Sequence, residues 1–242
     1  MNILVLLLFS IVNFILLTIA YKMFGKKGIL AYLVVSVLSA NIQVFKEITF
    51  DFGLFELTGT SGNVMFSGIF LATDLLSEKY GIKEATKAVR ISVFANIAFI
   101  IVMFISTLYN PQIHDASVDG GWSQFVNDAL NSFFGLGGGA IKIVLIGNLV
   151  YFTSQSIDVY LYERIKEALP DKRFLWIRNN GSTIISQFID TVLVTVGFSL
   201  VGLFPLSSVI GIIITTLVIK YIVALLDTPF IYIMSYIKPN NE

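Results

Sequence analysis

The chain has 242 residues, of which 56% are hydrophobic and 13% are charged, with 16 basic and 16 acidic residues. About a quarter of the residues in a soluble domain carry charge, so this composition indicates an integral membrane protein. The lack of cysteine and the single histidine, His114, exclude thiolate clusters and a histidine-based metal centre. The Gly-rich run at 135–139 lacks the Lys-Ser/Thr that completes a phosphate-binding loop, so we expect no ATPase within the chain. We also expect no cofactor and no metal.

Seven apolar runs are long enough to cross a bilayer as helices. They predict one all-α transmembrane domain over residues 1–242, a polytopic bundle of six to seven helices. No basic residue precedes the first run, so we interpret it as a retained helix rather than a signal peptide; without it, six spans would remain in the same register. The predicted spans are 3–21, 28–45, 62–79, 88–109, 141–162, 181–203 and 207–236.

Basic residues are distributed unequally between the predicted loops. One set of loops carries almost all of them, whereas the long loop after the fourth span carries Asp115, Asp119 and Asp128. Because cytoplasmic loops are enriched in Lys and Arg, we expect a multi-pass protein of the cell membrane with its N-terminus outside and its C-terminus in the cytoplasm. The basic residues assigned to the cytoplasmic side are Lys22, Lys26, Lys27, Lys79, Lys83, Lys87, Arg90, Arg164, Lys166, Lys172, Arg173, Arg178 and Lys238.

Two outer loops carry a secondary-structure signal of their own. Apolar residues in Trp122–Phe134 recur at the spacing of one helix face, which predicts an amphipathic helix lying along the outer membrane surface. Between Ile48 and Leu54 apolar residues occupy alternate positions, a pattern that fits either a small hairpin or an interfacial loop.

One short phrase occurs twice in the second half of the chain. The run Ser154-Gln155-Ser156-Ile157-Asp158 is followed 32 residues later by Ser186-Gln187-Phe188-Ile189-Asp190. In each copy the serine and the aspartate are four residues apart, so they share a helix face. The two predicted spans that carry the copies run in opposite directions, which leaves open an inverted repeat or a local coincidence.

Ionisable side chains within apolar spans cost roughly 2.5–3.5 kcal/mol each by insertion scales, and by default they mark solute or ion pathways. The alternative is that polar pairs only hold helices together, but such pairs average just about 0.6 kcal/mol in membranes. Four aspartates against one lysine cannot all be ionised in a dry bundle, so some must be protonated, exposed to water or paired with a cation. The candidate substrate-binding residues are Asn41, Gln43, Asp74, Gln155, Asp158, Ser186, Gln187, Asp190, Lys220 and Asp227.

We expect the polar groups of the two repeated phrases and of Lys220 to converge on one wet or ligand-filled pocket between helices. The rings considered as stacking surfaces for a planar ligand are Phe45, Phe70, Tyr151 and Phe152.

The run Phe70-Leu71-Ala72-Thr73-Asp74-Leu75-Leu76-Ser77-Glu78-Lys79-Tyr80-Gly81 resembles a signature of the queuosine-precursor transporters, a vitamin-uptake-transporter-like family of small bacterial and archaeal membrane proteins. Three further features match that family: Gln155-x-x-Asp158, Ser186-x-x-x-Asp190-Thr191, and Lys220. The resemblance covers about residues 41–229 and is specific when these motifs are taken together. It implies uptake of 7-deazaguanine bases, such as 7-cyano-7-deazaguanine, for tRNA modification. It also implies a fold like the six-helix substrate-binding subunits of vitamin importers.

The residues suit such a solute. The N–H donors of a guanine-like face suit a carboxylate, and its carbonyl suits an ammonium or an amide donor. Asp158 or Asp190 would therefore accept hydrogen bonds from the base, and the side chains that would donate to it are Lys220, Gln155, Gln187 and Asn41. The expected partners are a small-molecule substrate and the lipid bilayer, without nucleic acid, and a homo-oligomer is left open.

Two other functions remain in competition with an autonomous importer. The chain would instead be a substrate-binding subunit energised by a separate ATPase module, if transport proves to depend on ATP. The third function is an intramembrane aspartyl hydrolase that uses Asp158 and Asp190, although neither residue has the adjacent glycine that such enzymes require.

Overall fold

The computed structural model describes residues 2–51, 53, 56–136, 139–203 and 205–240, with only the backbone of 56, 57 and 139–142. These residues form a bundle of helices with one β-hairpin. Single 3-10 turns at Lys172–Phe174 and Leu206–Ser208 lead into the last two helices. The elements are α1 (Asn2–Gln43), β1 (Glu47–Asp51), β2 (Glu56–Thr60), α2 (Gly62–Tyr80), α3 (Ile82–Ser106), α4 (Ala116–Asp119), α5 (Trp122–Phe134), α6 (Gly139–Ala168), α7 (Leu175–Leu200) and α8 (Val209–Tyr236).

The first helix, α1, folds back on itself at Gly25. This residue has φ 58° and ψ −137°, a backbone conformation that glycine adopts far more readily than other residues. Tyr32 Oη donates to Asn13 Oδ1 at 2.7 Å across 19 residues, a separation of roughly 28 Å along a straight helix. The arms 2–24 and 26–43 therefore run antiparallel, and they correspond in place to the first two predicted spans.

Several helices have the length and composition of membrane spans. Within the described residues four segments qualify: Asn2–Gln43, Ile82–Ser106, Lys172–Leu200 and Leu206–Tyr236. Large apolar side chains such as Phe94 on α3 and Ile210 on α8 are exposed on the outside of the bundle, where a bilayer would cover them. The protein is therefore a helical membrane protein with several candidate passes, and the β-hairpin is an exception to the predicted all-α architecture.

The short helix α2 lies at the centre of the bundle and packs against α1, α3, α6 and α8. All of its residues from Gly62 to Ser77 except Phe66 are buried, as expected of a helix that other helices surround. Gly68 packs against α1, where an added Cβ would overlap Tyr32 Oη and Asn13 Nδ2.

The two ends of the bundle differ in character. At the end where α1 turns, Lys26 pairs with Glu84 at 3.2 Å, and Lys79 Nζ donates to the Ser235 carbonyl at 2.6 Å. We call this the basic end. At the opposite end, called the hairpin end, Asn2 Nδ2 donates to the Thr49 carbonyl at 2.7 Å.

The β-hairpin resolves the ambiguity left by the alternating residues after Ile48. Strands β1 and β2 pair antiparallel, with Ile48 opposite Gly59, whereas Phe52 and Leu54 lie outside the described residues. Phe50 is buried against Ile219 of α8, so the hairpin packs into the bundle. Helix α5 covers the same residues as the predicted amphipathic segment, and its Phe133 contacts the ring of Phe45 at 5.0 Å.

The helices extend past the predicted spans at the basic end. The predicted starts at 88 and 181 become Ile82 and Leu175, and the predicted end at 162 becomes Ala168. Hydropathy marks the part of a helix that suits hydrocarbon, whereas the backbone hydrogen bonds continue through the polar turns beyond it.

Candidate functional site

A cavity of about 470 Å³ lies at the hairpin end, between α1, β2, α2, α6, α7 and α8. Most of its wall is apolar, and the polar groups include Asn63 and Thr195. A concave, largely apolar cavity of a few hundred Å³ with a few convergent polar groups is the usual form of a small-molecule site. Asp190 and Lys220 are the two oppositely charged groups that reach it from deeper in the bundle, and we call them the cavity floor.

The cavity floor is a hydrogen-bonded ion pair. Lys220 Nζ donates to Asp190 Oδ2 at 2.7 Å and to Thr191 Oγ1 at 3.1 Å. Ser154 Oγ donates to the other carboxylate oxygen, Asp190 Oδ1, at 2.9 Å. The Asp190 side chain is 10% exposed and that of Lys220 is 3% exposed. A carboxylate has about four acceptor sites and an ammonium three donors, so each group retains capacity for a ligand.

Two phenylalanine rings line the cavity, and neither was among the predicted stacking rings. Phe66 lies with its centroid 5.9 Å from Lys220 Nζ, and Phe198 lies on another wall. Helical spacing puts Phe66 and Phe70 on the same face of α2, but it does not show which one reaches the cavity.

The four predicted rings are directed elsewhere. Phe45 contacts Phe133, Phe70 is buried in the core, Tyr151 hydrogen-bonds Ser92 at 2.8 Å, and Phe152 is partly exposed on another surface. None of the four rings considered as stacking surfaces therefore lines this cavity.

The repeated phrase forms a reciprocal contact between α6 and α7. Ser154 of the first copy donates to Asp190 of the second at 2.9 Å, and Ser186 of the second donates to Asp158 Oδ1 of the first at 2.7 Å. Because the two helices run antiparallel, the contacts lie one above the other along the bundle. The repetition thus has a structural role as a local two-fold pair of hydrogen bonds.

Asp158 belongs to a second polar group of residues between the cavity floor and the basic end, here called the inner layer. Asp74 and Asp158 are fully buried, and their carboxyl groups lie within hydrogen-bonding reach of each other. Thr183 Oγ1 donates to Asp74 Oδ2 at 3.4 Å. The inner layer consists of Asp74, Gln155, Asp158, Asn179, Thr183, Ser186, Gln187 and Asp227.

The amides and the third aspartate complete the inner layer. Gln155 Oε1 accepts from Thr73 Oγ1 at 3.0 Å, and Asp227 Oδ1 accepts from Asn179 Nδ2 at 2.7 Å. Among the described residues, neither the amide nitrogen nor the amide oxygen of the buried Gln187 has a hydrogen-bond partner. These side chains fill the bundle interior below the floor with polar atoms.

The prediction of a single convergent pocket is therefore corrected to two levels. Of the predicted residues, Asn41, Asp190 and Lys220 line the cavity. Six others lie in the inner layer, because helix packing buries them beneath the floor: Asp74, Gln155, Asp158, Ser186, Gln187 and Asp227. Gln43 lines a separate cavity of about 380 Å³ between α1 and the β-hairpin, since it lies on a different face of α1 from Asn41.

Known proteins match most of this chain. The family model described as "Putative vitamin uptake transporter" matches residues 60–234, which include the β2 end, the cavity floor and the inner layer. A protein of Bacillus subtilis (strain 168), named "Probable queuosine precursor transporter", is 37% identical over 235 residues, which cover 97% of this chain and 95% of that protein. No solved structure gives a significant match.

The chain belongs to the vitamin uptake transporter family. The resemblance drawn from the motifs is thereby confirmed. The family and the relative are transporters rather than enzymes, so the aspartyl hydrolase alternative is set aside.

In this transporter a cluster of charged residues lies between the inner layer and the basic end. Glu78 Oε2 accepts hydrogen bonds from Arg178 Nη1 at 3.2 Å and from Tyr162 Oη at 3.0 Å. Lys166 Nζ lies 3.7 Å from the same oxygen. Arg178 is 1% exposed. The sequence alone did not predict the pairing of Glu78 with Arg178, since a pairing across about 100 residues leaves no local signal.

Proposed function

We propose that this protein imports queuosine precursors, 7-deazaguanine bases such as 7-cyano-7-deazaguanine, across the cell membrane for the salvage of a tRNA modification. The single observation that carries the proposal is the cavity floor, where a carboxylate and an ammonium lie side by side beneath an apolar chamber with two aromatic rings. The name of the relative supplies the substrate class. The floor supplies the chemistry that suits it.

A guanine-type edge carries N–H donors beside a carbonyl oxygen, so it complements a carboxylate beside an ammonium. We assign Asp190 to the N–H donors of the base and Lys220 to its carbonyl. Phe66 and Phe198 are the candidate stacking surfaces. Asn41 Nδ2 already donates to the Val37 carbonyl at 2.8 Å, so we assign its amide oxygen, rather than its nitrogen, to the base.

We further propose that the hairpin end faces outside and the basic end faces the cytoplasm, because cytoplasmic loops are enriched in Lys and Arg. The arms of α1 measure roughly 34 Å and 27 Å, enough for two separate crossings of a hydrocarbon core of about 30 Å with some adjustment. With α2, α3, α6, α7 and α8, this arrangement gives seven spans in a single transmembrane domain. We assign α5 to the outer membrane interface.

The direct test is uptake of the radiolabelled base into proteoliposomes that contain only this protein. We expect accumulation, which Lys220→Gln abolishes and which Asp128→Asn, an exposed change on α5, leaves intact. Accumulation without any ATPase identifies an autonomous transporter. Binding without accumulation supports the alternative, a substrate-binding subunit that a separate ATPase module energises. If the purified protein does not bind the base, the proposal is wrong.

A further inference from the structure

We propose that the inner layer is the binding site for a coupling ion, and that this ion is a proton held between the carboxyl groups of Asp74 and Asp158. The proposal rests on the import function above and deepens it, because it states what drives the base inward. A proton from the outside solution binds one of the two carboxylates, crosses with the base, and leaves to the cytoplasmic solution, so the pair returns to its starting charge.

The first observation that supports the proposal is the distribution of charge along the bundle. Among the residues whose side chains are described, the two buried basic groups are already engaged, Lys220 with Asp190 and Arg178 with Glu78. Within the described residues no Lys or Arg forms a salt bridge with Asp74, Asp158 or Asp227. A buried carboxylate without a counter-charge is neutralised by taking up a proton. The inner layer is thus an acidic set whose charge must be balanced from solution.

The second observation is that Asp74 and Asp158 lie next to each other. Thr183 donates to Asp74, and Ser186, three residues further along α7, donates to Asp158, so the two carboxyl groups are neighbours. An ionised carboxylate is only an acceptor. Two ionised carboxylates in contact repel each other, so the contact requires a proton on one of them. Asp74 Oδ1 and Asp158 Oδ2 are buried and receive no hydrogen bond from an N–H or O–H group of the described residues.

The third observation is that two buried glutamines, Gln155 and Gln187, form a polar connection between the inner layer and the cavity. Gln187 is one helical turn from Thr183, which donates to Asp74, and one turn from Asp190 on the floor. Both of its amide atoms, and Gln155 Nε2, are buried without a partner among the described residues. Buried polar groups of this kind are normally satisfied by water, so we assign them to a hydrated path by which a proton passes from the cavity to the carboxyl pair.

The serines of the two repeated phrases, Ser154 and Ser186, connect the cavity floor with the inner layer. Ser154 bonds Asp190 on the floor and Ser186 bonds Asp158 in the inner layer, and both bonds link α6 to α7. A sliding movement of α6 against α7 would therefore break both bonds together. This geometry couples the state of the proton pair to the orientation of the carboxylate that binds the base.

Among the described residues no three or more His, Cys, Asp or Glu side chains come together, so Asp74 and Asp158 do not belong to a larger acidic metal site. Asp227 is held separately by Asn179 at 2.7 Å. We therefore assign a proton to the pair, and the experiment below tests sodium as the alternative. The other titratable groups on the surrounding elements are Tyr32 on α1, Glu78 on α2, Tyr151 and Tyr162 on α6, Arg178 and Asp190 on α7, and Lys220 and Asp227 on α8.

The experiment uses purified full-length protein in proteoliposomes that enclose a pH-sensitive dye. Without a pH gradient, addition of 7-cyano-7-deazaguanine outside should acidify the interior of wild-type vesicles. With the outside more acidic than the inside, the vesicles should accumulate the base, and a protonophore should abolish that accumulation. Asp74→Asn and Asp158→Asn should lose both the acidification and the accumulation, whereas Asp128→Asn should retain them. Asp158→Glu, which keeps a carboxyl group, should restore part of the acidification, so a purely structural effect of the Asn variants is separated from loss of the proton.

The outcomes distinguish this proposal from the import function on which it rests. Base binding to the same protein is measured separately by calorimetry. If the wild type binds and accumulates the base without acidification, or only when sodium is present, the proton site is wrong and the import function stands. If the wild type does not bind the base, the import function is wrong and the proton site falls with it.

Discussion

The two copies of the repeated phrase, Ser154–Asp158 and Ser186–Asp190, have nearly the same sequence and opposite surroundings. Asp190 lines the cavity and is paired with Lys220 at 2.7 Å. Asp158 is fully buried and faces another carboxyl group, that of Asp74. Each aspartate accepts a hydrogen bond from the serine of the other copy.

The comparison shows that the neighbouring helices, rather than the phrase, decide the role of each aspartate. Helix α8 places the Lys220 ammonium beside Asp190, and α2 places the Asp74 carboxyl group beside Asp158. Two carboxyl groups in different surroundings can serve different tasks in one site. We assign the outer one to the base and the inner one to the proton.

The largest effect should come from removing the charge of Asp190, the aspartate of the cavity floor. Asp190→Asn leaves Lys220 buried without a counter-charge, so we expect a loss of about 3–5 kcal/mol in the free energy of unfolding. Thermal unfolding in detergent measures it. The double variant Asp190→Asn/Lys220→Met should regain stability but bind the base weakly; a double variant as unstable as the single one would contradict the pairing.

A somewhat smaller effect should follow at the charged cluster beyond the inner copy. Glu78→Gln removes the counter-charge of Arg178, which keeps its 3.0 Å bond to the Asp171 carbonyl, so we expect about 3 kcal/mol. The same unfolding assay measures it, with the exposed Glu167→Gln as the matched control. Equal stability of the two variants would show that Arg178 is not committed to Glu78 and is free to neutralise the inner layer.

The reciprocal serines allow the two copies to be compared directly. Ser154→Ala and Ser186→Ala each remove one hydrogen bond to a carboxyl group, at a cost of about 1.5–3 kcal/mol if that group is ionised and less if it is protonated. We therefore expect Ser154→Ala to be the more destabilising variant and to weaken base binding. Ser186→Ala should change proton coupling while base affinity, measured by calorimetry, remains closer to wild type. The reverse order would contradict the assigned roles.

The smallest expected effect concerns the aromatic wall of the outer level. Phe66→Leu keeps an apolar side chain but removes the ring, which should weaken base binding by about 0.5–1.5 kcal/mol, or roughly 2- to 13-fold. Calorimetry measures the change. Phe94→Leu, on the exposed side of α3, is the matched control. A loss of the same size in both variants would show that the effect does not arise from stacking.

Hydropathy and spacing predicted the apolar helices, the amphipathic segment at Trp122 and the polar residues that face the interior, since these follow from local periodicity. The sequence did not show the depth of each side chain. The prediction placed Asp158 and Asp190 in one pocket, whereas the direction of α6 against α7 separates them into two levels. Helical spacing likewise left Phe66 and Phe70 equivalent, and only the packing of α2 against its neighbours distinguishes them.

Pairings between distant helices were the least predictable feature. Lys220 was expected in the site, but its bond to Asp190 depends on how α8 packs against α7. Arg178 was counted as a loop residue, although it is 1% exposed and pairs with Glu78 of α2. Neither contact leaves a trace in the spacing of residues along the chain, because each depends on tertiary packing.

The most direct test of the central claim, that the Asp190–Lys220 floor reads the edge of a guanine-type base, is a comparison of two ligands. Calorimetry would measure the affinities of 7-deazaguanine and of 7-deazahypoxanthine, which lacks the exocyclic amine, for the wild type and for Asp190→Asn/Lys220→Met. We predict that the wild type strongly prefers the ligand with the amine and that the double variant loses this preference, as a cycle of paired changes requires for interacting groups. An equal preference in both proteins would contradict the account.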